Sequence, residues 1–186
     1  MKNAVIFVLI ASSIVMVAGH TWADNLPFCL FPNCFPVSMR TPDRQVDIQS
    51  YLGEWFEVAR MPAPFQTQCI CSQANYALNP KGFIDVHNSC IQRDGSSTEI
   101  DGYAYSKNDL NTQLTVYFNR FIGGAYWILD FDPDYQWAIV GEPCRKFGWI
   151  LARTKTLEQD ELEKRIKTLE DYGYETSKLI MRSTDC

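Results

Sequence analysis

Residues 51–62 read YLGEWFEVARMP. Gly53 stands two positions before Trp55, and Trp55 heads a strand-like run that ends at Arg60. Tryptophan is large and rarely left in water, so Trp55 needs a partner from elsewhere in the chain. Gly53 reads as a tight approach to the strand that leaves no room for a Cβ.

Working outward, turn signals punctuate strand-like segments about 8–12 residues apart. Cys69–Leu78 is followed by the turn Asn79-Pro80-Lys81-Gly82 and by Phe83–Arg93. Asp94-Gly95-Ser96-Ser97 turns the chain into Thr98–Tyr105. In Gln113–Asn119, Leu114, Val116 and Phe118 share one face. Gly123-Gly124 leads into Ala125–Phe131, Asp132-Pro133-Asp134 into Gln136–Gly141, and Trp149–Thr154 ends the series. These eight strands, joined mostly as hairpins with no helix between them, predict an all-β, antiparallel up-and-down sheet. Closure into a barrel removes the exposed edges. A helix follows, with Thr156 and Gln159 as a capping box, an apolar stripe of Leu162, Ile166 and Leu169, and Gly173 as the stop. Its narrow stripe and charged surroundings predict a helix lying outside the barrel. Lys178–Arg182 forms a further short edge strand.

The partner of Trp55 is found on the last long strand, GWILART, where Trp149, Leu151 and Arg153 share a face. First and last strands are neighbours in a closed barrel. Arg153 therefore reaches Trp55, its guanidinium stacked on the indole and its N–H groups donating to carbonyls at the barrel end. Such a desolvated contact contributes about 1–2 kcal/mol. Trp55 and Arg153 together plug one end.

The chain has 186 residues, a net charge of −5 and seven cysteines. Lys2, the apolar run Ala4–Ala18 and the small residues Thr21 and Ala23 predict a secretory signal peptide over residues 1–23. The run is shorter than the roughly 20 apolar residues that span a bilayer. Pro27 and Phe28 stand where a lipid-anchored start at Cys29 needs small residues. Removing the peptide leaves a single-domain length of 163 residues and a net charge of −6. That acidity argues against nucleic acid as a partner. Residues 24–46, with Pro27, Pro32, Pro36 and Pro42 and with Cys29 and Cys34, read as an irregular arm; residues 47–186 are the barrel domain with helix and tail. Cysteines behind a signal peptide predict disulfides, and an odd number leaves one thiol free or paired with another chain. Cys69 and Cys71 fall on one face of a regular strand, which suits two separate bridges. Zinc is disfavoured, since His87 is the one histidine left after cleavage and no CxxC occurs.

Three blocks carry a resemblance: GEW opening the first strand, DPDY between two later ones, and WILART on the last. They resemble the three motif blocks of the lipocalins, at Gly53, Trp55, Asp132, Tyr135 and Arg153. QANYAL (73–78) and AYWILDFD (125–132) are most similar to the group of apolipoprotein D, bacterial outer-membrane lipocalins and plant stress-induced lipocalins. One departure is Phe131, where the family often has Thr before the Asp. The resemblance implies a barrel holding one small ligand. It aligns Tyr76, Asn88, Gln92, Phe118, Ile122, Tyr126, Trp149 and Leu151 with inward, ligand-contacting positions. Such a wall suits an elongated apolar molecule with a polar head: a fatty acid, lysophospholipid, retinoid or isoprenoid. Some relatives carry a cation at the position of Gln92; the neutral amide here makes a neutral or zwitterionic lipid as suitable as a carboxylate. No cofactor or metal is expected, and peripheral contact with membranes is compatible with the family.

The rival readings are a lipocalin-fold isomerase acting on a lipid or carotenoid, and a protein-binding inhibitor. A triad needs a histidine base, and His87 is expected to face outward beside inward Asn88. A non-enzymatic carrier in an extracytoplasmic compartment is the favoured expectation. Resemblance to apolipoprotein D implies the bridges Cys71–Cys186 and Cys34–Cys144, leaving Cys69 with Cys90. If 79–82 is a tight four-residue turn, Cys71 falls opposite Cys90, and the pairs 71–90 and 69–186 stay open. Cys29 is left over, as a free thiol in a monomer or as the link of a dimer.

Overall fold

The computed structural model describes residues 39–118 and 123–186. The predicted signal peptide, Cys29, Cys34 and Ile122 lie outside the described residues. Eight antiparallel strands close into a barrel: β1 (Gly53–Arg60), β2 (Cys69–Leu78), β3 (Ile84–Gln92), β4 (Ser97–Ser106), β5 (Gln113–Tyr117), β6 (Gly123–Phe131), β7 (Trp137–Gly141) and β8 (Gly148–Ala152). Each pairs with its sequence neighbours, and β1 pairs with both β2 and β8. A ninth strand, β9 (Ile180–Met181), pairs with Ala59 and Arg60 at the far end of β1.

Alternation builds two cores. Trp55, Tyr76, Ile84, Val86, Ala104, Leu114, Val116, Ile128, Val140 and Leu151 face inward and bury one another. Val58, Leu129, Ile139 and Ile150 face outward and take up helix α2 (Gln159–Asp171) through Leu162, Ile166 and Leu169. The helix thus lies outside the barrel, and Gly173, at φ +87°, ends it.

Several expectations need correction. The Thr156–Gln159 capping box does not form; the helix starts at Gln159 with Glu158 at the N-cap and no side-chain cap bond. The Thr156 carbonyl instead accepts from the Thr154 hydroxyl. A four-residue helix, α1 (Ile48–Tyr51), precedes β1, its N-terminus capped by the Asp47 carboxylate. A 3-10 turn, Pro64–Gln66, stands between β1 and β2, where no helical element was expected.

Cys69 and Cys71 do not share a face. The pairing slips between them: Cys69 lies opposite Gln92, but Cys71 opposite Ile91. Gln92 and Ile91 are consecutive and point to opposite sides, so their partners do too. Ser72 then falls opposite Cys90, and the tight-turn register is not adopted; Asn79 bonds across to Phe83 instead. Cys69 is bonded to Cys90 and Cys71 to Cys186. Cys144 is disulfide-bonded, with no described cysteine as its partner.

Candidate functional site

The strand directions give the barrel two unlike ends. At one, α1, the loops 79–83, 107–112 and 132–136, and Arg153 come together. At the other lie the loops 61–68, 93–96 and 142–147, together with Phe118.

The first end is closed. The Arg153 guanidinium lies 3.8 Å over the Trp55 ring. Its N–H groups donate to the carbonyls of Glu54 (2.6 Å), Leu52 (2.8 Å), Ser50 (2.9 Å), Tyr135 (3.2 Å) and Tyr51 (3.3 Å). The Trp55 indole N–H donates to the Tyr51 carbonyl at 2.8 Å, and no part of Trp55 meets solvent. Asp132 accepts from the amides of Asp134 and Gln136, which fixes the turn that presents Tyr135. Tyr135 accepts from the Asp47 amide through its hydroxyl. Gly53 serves this end through its φ of +91°, which side chains rarely adopt. A Cβ there would meet Arg153 at an ordinary 3.5 Å, so lack of room is not the reason for the glycine.

Above this plug three phenols meet inside the barrel. Tyr126 Oη stands 2.9 Å from Tyr51 Oη and 3.0 Å from Tyr76 Oη. Burial pushes the Tyr76 phenol up to about 12 and those of Tyr51 and Tyr126 well above the usual phenol range. All three stay protonated donors at neutral pH.

Nearer the other end, two charged groups point inward. Glu57 lies opposite Leu151 and Arg60 opposite Trp149, and both are buried. Residues three apart on a regular strand face opposite ways; a shift in pairing between Glu57 and Ala59 brings both to the inside. Gln66, from the 3-10 turn, reaches back over them. Its Nε2 donates to Glu57 Oε2 at 2.9 Å, and its Oε1 accepts from Trp149 Nε1 at 3.3 Å. Arg60 donates to the carbonyls of Gln66 and Cys69 and lies 3.4 Å from Glu57. Burial raises the Glu57 carboxyl above the ordinary range, opposed by Gln66 and Arg60.

The register sets Tyr76, Asn88, Gln92, Tyr126, Trp149 and Leu151 on the inner face, and the ring of Phe118, just past β5, lies against the inward side of Gly102. Tyr76 and Leu151 are buried in the inner core. Asn88, Gln92, Tyr126 and Trp149 keep partial exposure, and Phe118 is 40% exposed. Ile100, opposite Asn88 on β4, is inward and 49% exposed. Water thus still reaches apolar side chains on the inner face. Asn88 Oδ1 and Arg60 Nε are buried there without hydrogen-bond partners. Outside, His87 is exposed and pairs with Asp101 at 2.7 Å. Among the described residues no group of three His, Cys, Asp or Glu is placed to hold a metal.

The sequence reading omitted Tyr51, Glu57, Arg60, Gln66 and Ile100 from the interior. Ile100 and Glu57 were accessible by alternation alone. Arg60 depends on the bulge, and Gln66 on the path of a loop.

Residues 46–184 match the Lipocalin-like domain family. The chain is 33% identical over 144 residues to temperature-induced lipocalin-1 of Arabidopsis thaliana, covering 72% of this chain and 77% of that protein. It is 32% identical over 168 residues to the outer membrane lipoprotein Blc of Citrobacter freundii, covering 89% and 93%. Among solved structures, insecticyanin from the tobacco hornworm Manduca sexta matches with a TM-score of 0.60, over 77% of this chain and 86% of its own. At 23% identity that likeness speaks for the fold.

Proposed function

We propose, since the chain belongs to the lipocalin family, that it binds a small apolar molecule inside the barrel and carries or scavenges it. The observation that carries this reading is the set of inward apolar side chains left open to solvent, above all Ile100 and Phe118. Apolar surface of this kind gains when a ligand replaces water on it, by about 25 cal/mol per Å². The ligand classes that fit are fatty acids, lysophospholipids, retinoids and isoprenoids, with contacts at Tyr76, Asn88, Gln92, Phe118, Ile122, Tyr126, Trp149 and Leu151. A role in lipid stress protection is compatible with such binding.

A carrier needs no catalytic group. The outward His87–Asp101 pair supports that reading, as do the disulfides that hold Cys69, Cys71, Cys90 and Cys186. The same disulfides favour an extracytoplasmic compartment. Phe65, 68% exposed beside the loop that carries Phe147, supports peripheral contact with membranes at the open end. The protein acts as a monomer or as a dimer linked through Cys29. The test is displacement of a fluorescent fatty-acid probe. Natural lipids should displace it at about micromolar concentration and quench Trp149. If no lipid, retinoid or isoprenoid does either, the carrier reading falls.

A further inference from the structure

The three inner phenols do not balance their own protons. Each hydroxyl brings one proton and can accept two. The chain Tyr51–Tyr126–Tyr76 contains two hydrogen bonds, which use two of the three protons. Whichever way the bonds run, one O–H remains. If either outer phenol kept it, the spare proton would be sealed in the core, because Tyr51 and Tyr76 are 5% and 7% exposed. If both donate to Tyr126, the spare proton belongs to the one residue of the three that keeps partial exposure. A buried donor without an acceptor is costly, so this arrangement is favoured.

We propose that Tyr126 is a recognition residue for an uncharged carbonyl oxygen, that of a ketone, aldehyde or ester, on an otherwise apolar ligand. This rests on the reading of the barrel as a binding site. The acceptor must be uncharged because neither nearby guanidinium offers a free charge at Tyr126; Arg60 Nε lacks a partner, but the charge of Arg60 is matched by Glu57. Arg153 donates to backbone carbonyls behind Trp55, and Arg60 donates to two carbonyls and lies against Glu57. A carboxylate at Tyr126 would be a buried charge without a counter-charge. The ligand therefore enters carbonyl first, with its chain trailing past Ile100 and Phe118 toward the open end.

The experiment compares a long-chain methyl ketone with the alkane of equal length, by probe displacement from the intact protein. The ketone should bind about fivefold tighter, the value of one net hydrogen bond. Its carbonyl, labelled with carbon-13, should absorb at lower infrared frequency when bound than in hexane. In the variant carrying Tyr51→Phe, Tyr76→Phe and Tyr126→Phe together, the two ligands should bind alike. If that variant does not fold, the infrared band of the ketone on the unaltered protein decides. Equal binding of ketone and alkane, or an unshifted carbonyl band, overturns the proposal and leaves the carrier reading standing. If neither ligand displaces the probe while natural lipids do, the proposal falls and the carrier reading stands; if natural lipids fail as well, both fall.

Discussion

The two ends of this barrel are built on opposite principles. At the closed end the plug is fully partnered: Trp55 is sealed, and Arg153 serves five carbonyls. Toward the open end the walls are incomplete. Ile100 and Phe118 face inward yet meet water, and Asn88 and Arg60 hold buried atoms without partners. The difference separates work done for folding from work left for a ligand. A residue at the closed end should matter to stability and not to binding, and a residue near the opening the reverse.

The largest expected effect is at the plug. Trp55→Ala removes a fully buried indole and should cost about 3–5 kcal/mol in urea unfolding. The fraction that stays folded should bind the probe as before. Arg153→Ala should cost about 1–3 kcal/mol, since several carbonyls lose a charged donor and the indole loses its cap. A large loss of affinity at unchanged stability in either variant would erase the distinction between the ends.

The phenols sit at the boundary and can be tested by pH. Tyr76 titrates near 12 in the folded chain against an ordinary 10.0. The unfolded chain therefore ionises first as pH rises. The stabilisation from keeping this phenol neutral is full below pH 10 and is lost as pH climbs toward 12. Between pH 9 and 11 the loss should be on the order of 1 kcal/mol for this group. Tyr76→Phe should flatten the alkaline fall in urea stability by that amount; an unchanged slope would mean that the phenol is not sheltered.

The smallest stability effect belongs to the opening. Phe118→Ala should change unfolding by less than about 0.5 kcal/mol, as is usual for an exposed side chain. Probe affinity should drop about fivefold, the loss of roughly one buried apolar contact. A destabilised Phe118→Ala variant with intact binding would place Phe118 in the core instead.

The sequence disclosed the regular parts of this architecture. Alternation locates all eight barrel strands, and the GEW and WILART blocks join Trp55 to Arg153 from the sequence alone. What escaped depends on irregularities that alternation cannot register. A single slip at Ile70 turns Cys69 inward and Cys71 outward, so one bridges β2 to β3 and the other ties down the tail. Another near Val58 brings Glu57 and Arg60 into the interior together. Helix α1 is too short to show a period, although Asp47 marks its start. Thr156 and Gln159 satisfied a capping pattern that the local chain does not use. Tyr51 escaped because a phenol just before a strand points inward only once α1 has turned the backbone.

The central claim is that the open half of the barrel holds a small apolar ligand, and native mass spectrometry of the gently purified protein tests it most directly. A population heavier than the chain by the mass of one small molecule is expected. Organic extraction should remove that excess, and an added lipid should restore it. A single mass equal to the bare chain, unchanged when fatty acids, lysophospholipids, retinoids and isoprenoids are added, would contradict it.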